Sequence, residues 1–571
     1  MPRSTRVFKK VKNKGNRFYR TYPVPAGPRG DESTSTAATS ISTPPSCSKK
    51  KLECSKDKYE TSENHTNVNV IIDLDILQRV FSECVSCRLC GGQIKLDENT
   101  SKRNGLVSSL TINCENCKSV NEFHTSNKCK DSELFETNIR YFYGMRCVGK
   151  GFAAGKVLAG LLNLATPPTN VSKYTAILGE SVKLAAEQTM KDAVTEAVHA
   201  NGGNSDIAVG FDGTWQKRGY KSKNGCSSVT SIDTGNVLDV DIFSKYCQKC
   251  TMSGKGNEHE GECHKNYEGS SGGMETAAAV SMFHRSEAKY GVRYVHFLGD
   301  GDCKSYNAVC TSKPYGELSV KKLECVGHIQ KRMGSQLRKL KQQLGKTVLS
   351  DGKTIRGRLT DVTIDRLQSY YGKAIRDNTD SLDKMRTAVW ASFFHTASTD
   401  AKPLHNMCSI EWCKYLKSEA AGTVDSYKHT KPIDKAVMIA IKPIYTKLAD
   451  PELLSKCLHG KTQNVNESFN NTVWSRVPKN TFVGRKTLEY GVYDAVLTFN
   501  TGNVGRITVL ENLGVKIGKN TATILQQLDQ ARVSKAEIAM ENMTKQARSR
   551  RRRARLEEEA DEDEDYIPGG F

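Results

Sequence analysis

The hydrophobic period of this chain switches at residue 206, and that switch limits the folds open to it. Upstream, SKYTAILGESVKLAAEQTMKDAVTEAVHA puts Leu178, Val182, Ala185, Met190 and Ala193 near one helical face, and Asn201-Gly202-Gly203-Asn204 breaks the run. Downstream, DIAVGFD, GCSSVTSID and NVLDVDIFS are short β-prone runs separated by polar or Gly-containing turns. A helical stretch around GMETAAAVSMFHRSEAKYG comes next, then the strand RYVHFL, a short helical link and the strand KKLECV.

That order predicts an α/β domain built on an RNase H-like mixed sheet. From His328 to about residue 460 the sequence reads as helical, with Ile329, Met333, Leu337, Leu340 and Leu344 as an apolar stripe, and forms an insertion. Glu467 then falls on a helix in TQNVNESFNNTVWSR, and a following helix carries Leu488, Val492, Ala495, Val496 and Phe499 on one side. Residues 521–548 read as a long polar helix with Thr521 as its cap. The expected organisation is a disordered basic tail (1–70), a zinc-ribbon-like module (71–135) and a helical DNA-binding or linking region (136–205). The first part of the core (206–328), the insertion (329–460) and the second part of the core (461–515) follow. A C-terminal helix and charged, disordered tail (516–571) end the chain.

Three carboxylates stand in contexts that suit metal chemistry on phosphodiesters. Asp212 ends the apolar run of IAVGFDGTWQKRG, Asp300 ends that of RYVHFLGDGD, and Glu467 follows on its helix. Two strand-end aspartates and a helical glutamate can hold two Mg²⁺ or Mn²⁺ ions, which prefer hard oxygen ligands. Asp302 is the rival of Asp300 for the second position. Cys325-Val326-Gly327-His328 lies between the second and third carboxylates.

Composition narrows the partner. The formal charge is +21 and the pI is near 9.1, which points to a polyanion, with nucleic acid first. Basic tails on an ordinary soluble protein are the competing reading. No run approaches the roughly 20 apolar residues of a membrane span. MPRSTRVFKKVKNKGNRFYR lacks the apolar core of a secretory signal and reads instead as a nuclear import signal or DNA-grasping arm, or as a solvated tail. The expected residence is the nucleus. With no secretory signal, the 19 cysteines should be thiols, placed for metal or for burial.

Three Cys/His groups have ligand-like spacing. Cys87-x-x-Cys90 and Cys114-x-x-Cys117 are two knuckles joined by a β-prone stretch, suited to tetrahedral Zn²⁺, with Cys84 as a competing ligand. Cys247, Cys250, His259 and Cys263 lie in a polar, Gly-rich loop that a metal would staple, with His264 as the alternative to His259. His395, His405, Cys408 and Cys413 form the third group, for which core packing competes with zinc.

At GFDGTWQKRG, CHKNYEGSSGGME, LGDGD, ECVGHIQKRMG, YKHTKPI and TQNVNESFNNTVW the chain resembles the Mutator-like transposase domain, from about residue 70 to YIPGGF. The resemblance implies a DDE transposase: an RNase H-like fold with a helical insertion and a C-x-x-H pair before the glutamate. Asp212, Asp300 and Glu467 match the three acidic positions, and Cys325 and His328 match the pair. It further implies cleavage at the terminal inverted repeats and joining of the 3′-OH ends to target DNA. Asp212 would bridge two Mg²⁺ or Mn²⁺ ions, and the protein would act as a homo-multimer on double-stranded DNA. A domesticated, catalytically silent DNA-binding regulator is the alternative, and a nuclease without strand transfer is a third. Trp215, Trp474 and Arg476 are candidate DNA contacts, weighed against core packing for the tryptophans and a solvated face for Arg476. Lys331-Arg332, Arg338-Lys339 and Lys341 are candidate basic faces along the DNA, weighed against ordinary solvated charge.

Overall fold

The computed structural model describes Lys49, Tyr59 and residues 68–216, 222–253, 262–299, 304–429, 432–479 and 481–541. The basic N-terminal cluster, Asp300, Asp302, His259 and the charged C-terminal tail lie outside the described residues.

Helix α1 (Leu74–Cys84) leads into a three-stranded antiparallel sheet of β1 (Ile94–Glu98), β2 (Ser109–Cys114) and β3 (Val120–His124). Its buried apolar cluster is small, Cys87, Ile94 and Cys114 with Phe81 and Ile112 against it. Helices α2 (Glu136–Cys147), α3 (Phe152–Leu161) and α4 (Val171–Ala200) follow. Asn170 caps α4 by accepting from the Lys173 N–H, and Gly202 and Gly203 after it adopt the positive φ that glycine tolerates. Leu178, Val182, Ala185, Met190 and Ala193 are all buried, as their spacing predicts.

The central sheet holds β4 (Asp206–Trp215), β5 (Asn224–Ser231) and β6 (Val237–Ser244). The short α5 (Gln248–Ser253) and then α6 (Ser271–Tyr290) lead to β7 (Arg293–Gly299), and α7 (Lys304–Ser312) leads to β8 (Lys321–Glu324). The strand order is β6-β5-β4-β7-β8. β4 pairs antiparallel with β5, and β5 with β6; β7 runs parallel to β4, and β8 parallel to β7. Every residue of β5 is buried, as expected of a strand covered on both faces. On one face, Ile207, Val209 and Phe211 of β4 join Met274, Ala278, Met282 and Phe283 of α6. On the other lie α4, α14 (Asn464–Arg476) and α15 (Arg485–Thr501).

The strand KKLECV is shorter than its sequence implies. β8 ends at Glu324, and Cys325 is the extended residue that starts α8 (Val326–Gln343). Helices α9 (Asp361–Arg376), α10 (Leu382–Ala397), α11 (Lys414–Ala420), α12 (Lys435–Leu448) and α13 (Pro451–Ser455) complete the helical segment before α14. This segment has its own apolar cluster, from Val326 and Ile329 through Tyr371, Met385, Val389 and Phe393 to Ile441, Tyr445 and Cys457. It leaves and returns at one place: the Glu324 N–H donates to Lys456 O, the Val326 N–H to Lys461 O, and the Gln463 N–H to Cys325 Sγ. After α15 come α16 (Gly505–Asn512) and α17 (Lys519–Glu541). Thr521 does not cap α17, which begins two residues earlier. Its hydroxyl accepts from Arg140, tying α17 back to α2.

Candidate active site

The end of β4 is read in step by α14. Alternation along the strand turns Phe211, Gly213 and Trp215 toward α6 and Gly210, Asp212 and Thr214 toward α14. Asn466 Nδ2 donates to Gly210 O at 3.3 Å, Asn470 Nδ2 to Asp212 Oδ2 at 2.6 Å, and Trp474 Nε1 to Thr214 Oγ1 at 2.8 Å. Four helical residues rise about 6 Å and two strand residues about 6.7 Å, so positions i, i+4 and i+8 of the helix meet i, i+2 and i+4 of the strand. The approach is close: a Cβ on Gly210 would come within 2.7 Å of Asn466 Oδ1.

Gln463 sets the start of this helix between the strands. Its Nε2 donates to Phe211 O at 2.9 Å and Leu298 O at 3.3 Å, joining the ends of β4 and β7. Gly210 pairs with Leu298 across those parallel strands. In the sequence, Asp212 follows the first by two residues and Asp300 follows the second by two.

Glu467 sits one residue past Asn466 and is half exposed, with its Oε1 at 3.6 Å from His328 Nε2. Cys325 is buried beneath this pair. Burial works to raise its thiol pKa, but hydrogen bonds with His328 and from the Gln463 and His328 N–H groups outweigh it, and the net shift is downward. Asp212, Glu467, His328 and Cys325 are thus linked through Asn470 and Gln463 at one end of the sheet. Sequence patterning missed Gln463, Asn466 and Asn470, because it searched helices for apolar stripes. It also missed Glu275 of α6, whose Cγ would lie 2.7 Å from a Cβ on Gly213 and whose Oε1 accepts from Ser305 Oγ at 3.5 Å.

The neighbouring candidates fall into structural roles. Trp215 Nε1 donates to Ser271 O at 2.7 Å, and Trp474 is engaged by Thr214. Arg476 is not on a solvated face: its Nε donates to the fully buried Asp494 at 2.7 Å, which Arg506 also reaches at 3.3 Å. Arg332 pairs with Glu324, Arg338 with Asp365 and Lys341 with Asp361, so much of the basic face on α8 is neutralised locally. Lys331 and Lys339 are exposed.

All three Cys/His groups are gathered. The Sγ atoms of Cys87, Cys90, Cys114 and Cys117 lie within 4.8 Å of one another, with Cys87–Cys117 at 3.7 Å and Cys90–Cys114 at 3.5 Å. A tetrahedral zinc thiolate has S–S edges of about 3.8 Å, given Zn–S bonds near 2.3 Å. Hydrogen bonds from Ser119 hold the Cys117 thiol down at about 6. The Gly92 N–H also lowers Cys90, yet the neighbouring sulfurs and burial push it up to about 11. Cys84 is exposed and stands outside the group. In the second group Cys247, Cys250 and Cys263 converge, Cys250–Cys263 at 3.4 Å; His264 is not among them. The third brings together His395, His405, Cys408 and Cys413. These donor sets fit a metal such as zinc. The described cysteines are all free thiols.

Among the described residues no helix is long and apolar enough to cross a membrane. No curated protein matches the chain. Residues 68–413 match the family described as Mutator-like transposase, a span that takes in β4, Asp212, the Cys325–His328 pair and all three Cys/His groups. By that match the chain belongs to the Mutator-like transposase family.

Proposed function

We propose that the protein is a DDE transposase with an RNase H-like catalytic domain, cutting phosphodiesters at transposon terminal inverted repeats and joining the 3′-OH ends to target DNA. The observation that carries this reading is the docking of α14 along β4, which brings the Glu467 helix to the Asp212 strand end. Three consecutive antiparallel strands followed by two parallel ones, in the order β6-β5-β4-β7-β8, support the RNase H-like assignment.

Asp212, Asp300 and Glu467 are the residues that would hold two Mg²⁺ or Mn²⁺ ions. The donor set fits: the carboxylates are hard ligands, and Asn470 Oδ1 is buried beside Asp212 with no hydrogen-bond partner among the described residues. Bound there, the ions supply Lewis-acid activation of the attacking oxygen and stabilisation of the leaving one. The chain's own part is positional. Asn470 orients the Asp212 carboxylate, Gln463 fixes the spacing of the strand ends, and His328 bears on Glu467 above the buried Cys325. Glu275 is a further carboxylate at this end of the sheet. The Cys87–Cys117 and Cys247–Cys263 groups would hold structural zinc, with His259 completing the second, and the ribbon would help position the terminal repeats. The protein would work in the nucleus as a homo-multimer, since two ends must be joined.

The test is a labelled duplex ending in the cognate repeat, incubated with Mg²⁺ or Mn²⁺. The expected result is end nicking and strand transfer that disappear in Asp212→Asn and Glu467→Gln. Tight binding without cleavage in either metal identifies the silent regulator instead, and nicking without transfer identifies a nuclease.

A further inference from the structure

The stretch from Thr399 to His429 has almost no interior. Its buried residues are His405 and Cys413. The apolar cluster of the insertion passes it by, running from Phe393 to Ile433, and α11 buries nothing. Met407, Ile410 and Trp412 are exposed, so apolar side chains are not what anchors it. A segment this long needs some favourable term to offset its ordering entropy.

The donor atoms supply the geometry for one. His395 Nδ1 and His405 Nδ1 are 3.2 Å apart. Cys408 Sγ lies 3.6 Å from each, and Cys413 Sγ lies 3.9 Å from His395 Nδ1 and 3.6 Å from His405 Nδ1. Zn–N bonds near 2.05 Å and Zn–S bonds near 2.3 Å give tetrahedral edges of about 3.3–3.8 Å, which these separations match. The orientation of His405 is fixed from outside. Asp400 Oδ1 accepts from His429, whose Nδ1 is 2.7 Å away, so the His429 proton sits on Nδ1 and its Nε2 is an acceptor. His429 Nε2 is 2.9 Å from His405 Nε2, which must therefore donate. That leaves the lone pair of His405 on Nδ1, aimed at the sulfurs. Carboxylate–histidine chains of this kind orient the imidazoles of metal sites.

We propose that His395 Nδ1, His405 Nδ1, Cys408 Sγ and Cys413 Sγ ligate one zinc ion, that the His429–Asp400 pair is its outer shell, and that this ion folds residues 399–429 onto the end of α10. Binding releases the two thiol protons and leaves both imidazoles neutral. His429 was not among the ligand candidates in the sequence, and as an outer-shell residue it would not touch the ion. It closes the far end of the segment by docking on His405. This assignment is independent of the reaction proposed above.

The experiment is ¹¹³Cd exchange into the full chain, read by NMR, together with zinc content. A resonance in the two-sulfur, two-nitrogen range, upfield of the all-thiolate ribbon site, is expected from the wild-type protein. Its absence, with only sulfur-rich sites present, overturns the proposal without requiring any variant to fold. In Cys408→Ser/Cys413→Ser, zinc should fall by one equivalent per chain and trypsin should cut at Lys414, Lys417 or Lys428. Unchanged zinc in that variant overturns the site. His429→Ala keeps all four ligands and should lose zinc to a competing chelator about 10- to 100-fold more readily. Unchanged competition overturns the outer shell.

Discussion

At the scale of single residues, the candidate site depends on side chains that hold others in place. Asn470 donates to Asp212 through Nδ2 and so holds its carboxylate in place. Asn470→Ala should therefore slow cleavage about 10- to 100-fold, as loss of an orienting partner does at metal sites, while duplex affinity stays unchanged. Single-turnover rates set beside binding isotherms check this; a loss confined to affinity would contradict it. Asp494 is a different case. It is buried between Arg476, at the end of the Glu467 helix, and Arg506 on α16. Asp494→Ala strands two largely buried guanidinium groups and should destabilise the fold by about 3–5 kcal/mol, measurable in urea. Neither residue stood out in the sequence. A helical asparagine and a helical aspartate look solvated until a strand or a second helix is seen against them.

At the scale of elements, helix-on-strand docking explains why the inner face of α14 is polar. Gln463, Asn466, Asn470 and Trp474 meet backbone oxygens, a carboxylate and a hydroxyl, while Phe469 and Val473 enter the apolar cluster and the Trp474 ring packs against it. A Cβ at 210 would press on the Asn466 side chain, 2.7 Å from its Oδ1. Gly210→Ala should cost about 1–3 kcal/mol by overpacking and should shift Glu467 from its place beside His328. Thermal unfolding gives the first quantity, and reduced cleavage in a still-folded variant the second. The strands around Asp212 were legible in the sequence as short β-prone runs between turn residues, and the apolar faces of α4 and α8 because burial there follows a period of 3.6. The limits of β8 were not, since Lys321–Glu324 continues without a break in composition into the helix that Cys325 begins.

At the scale of the whole molecule, the excess of positive charge bears on DNA. The chain carries +21, yet Arg332 is spoken for by Glu324 at the end of β8, and Arg338 and Lys341 by Asp365 and Asp361 on the insertion. If about six to ten phosphates are still contacted, affinity should fall roughly 10³- to 10⁵-fold between 50 and 200 mM salt. Anisotropy on a labelled duplex measures the slope, and a flat response would remove the electrostatic basis for binding. By itself the sequence determined the α/β class, the helical insertion, the cysteine groups and the order of the acidic residues. Each of these is written in local spacing or in short motifs, where neighbouring residues suffice. Only the tertiary structure decided that Asn470 reaches Asp212, that Arg476 is buried against Asp494, and that His429 turns His405 toward its sulfurs. Those pairs lie 258, 18 and 24 residues apart, and no local rule couples them, because what joins them is the packing of elements that meet only once the chain has folded.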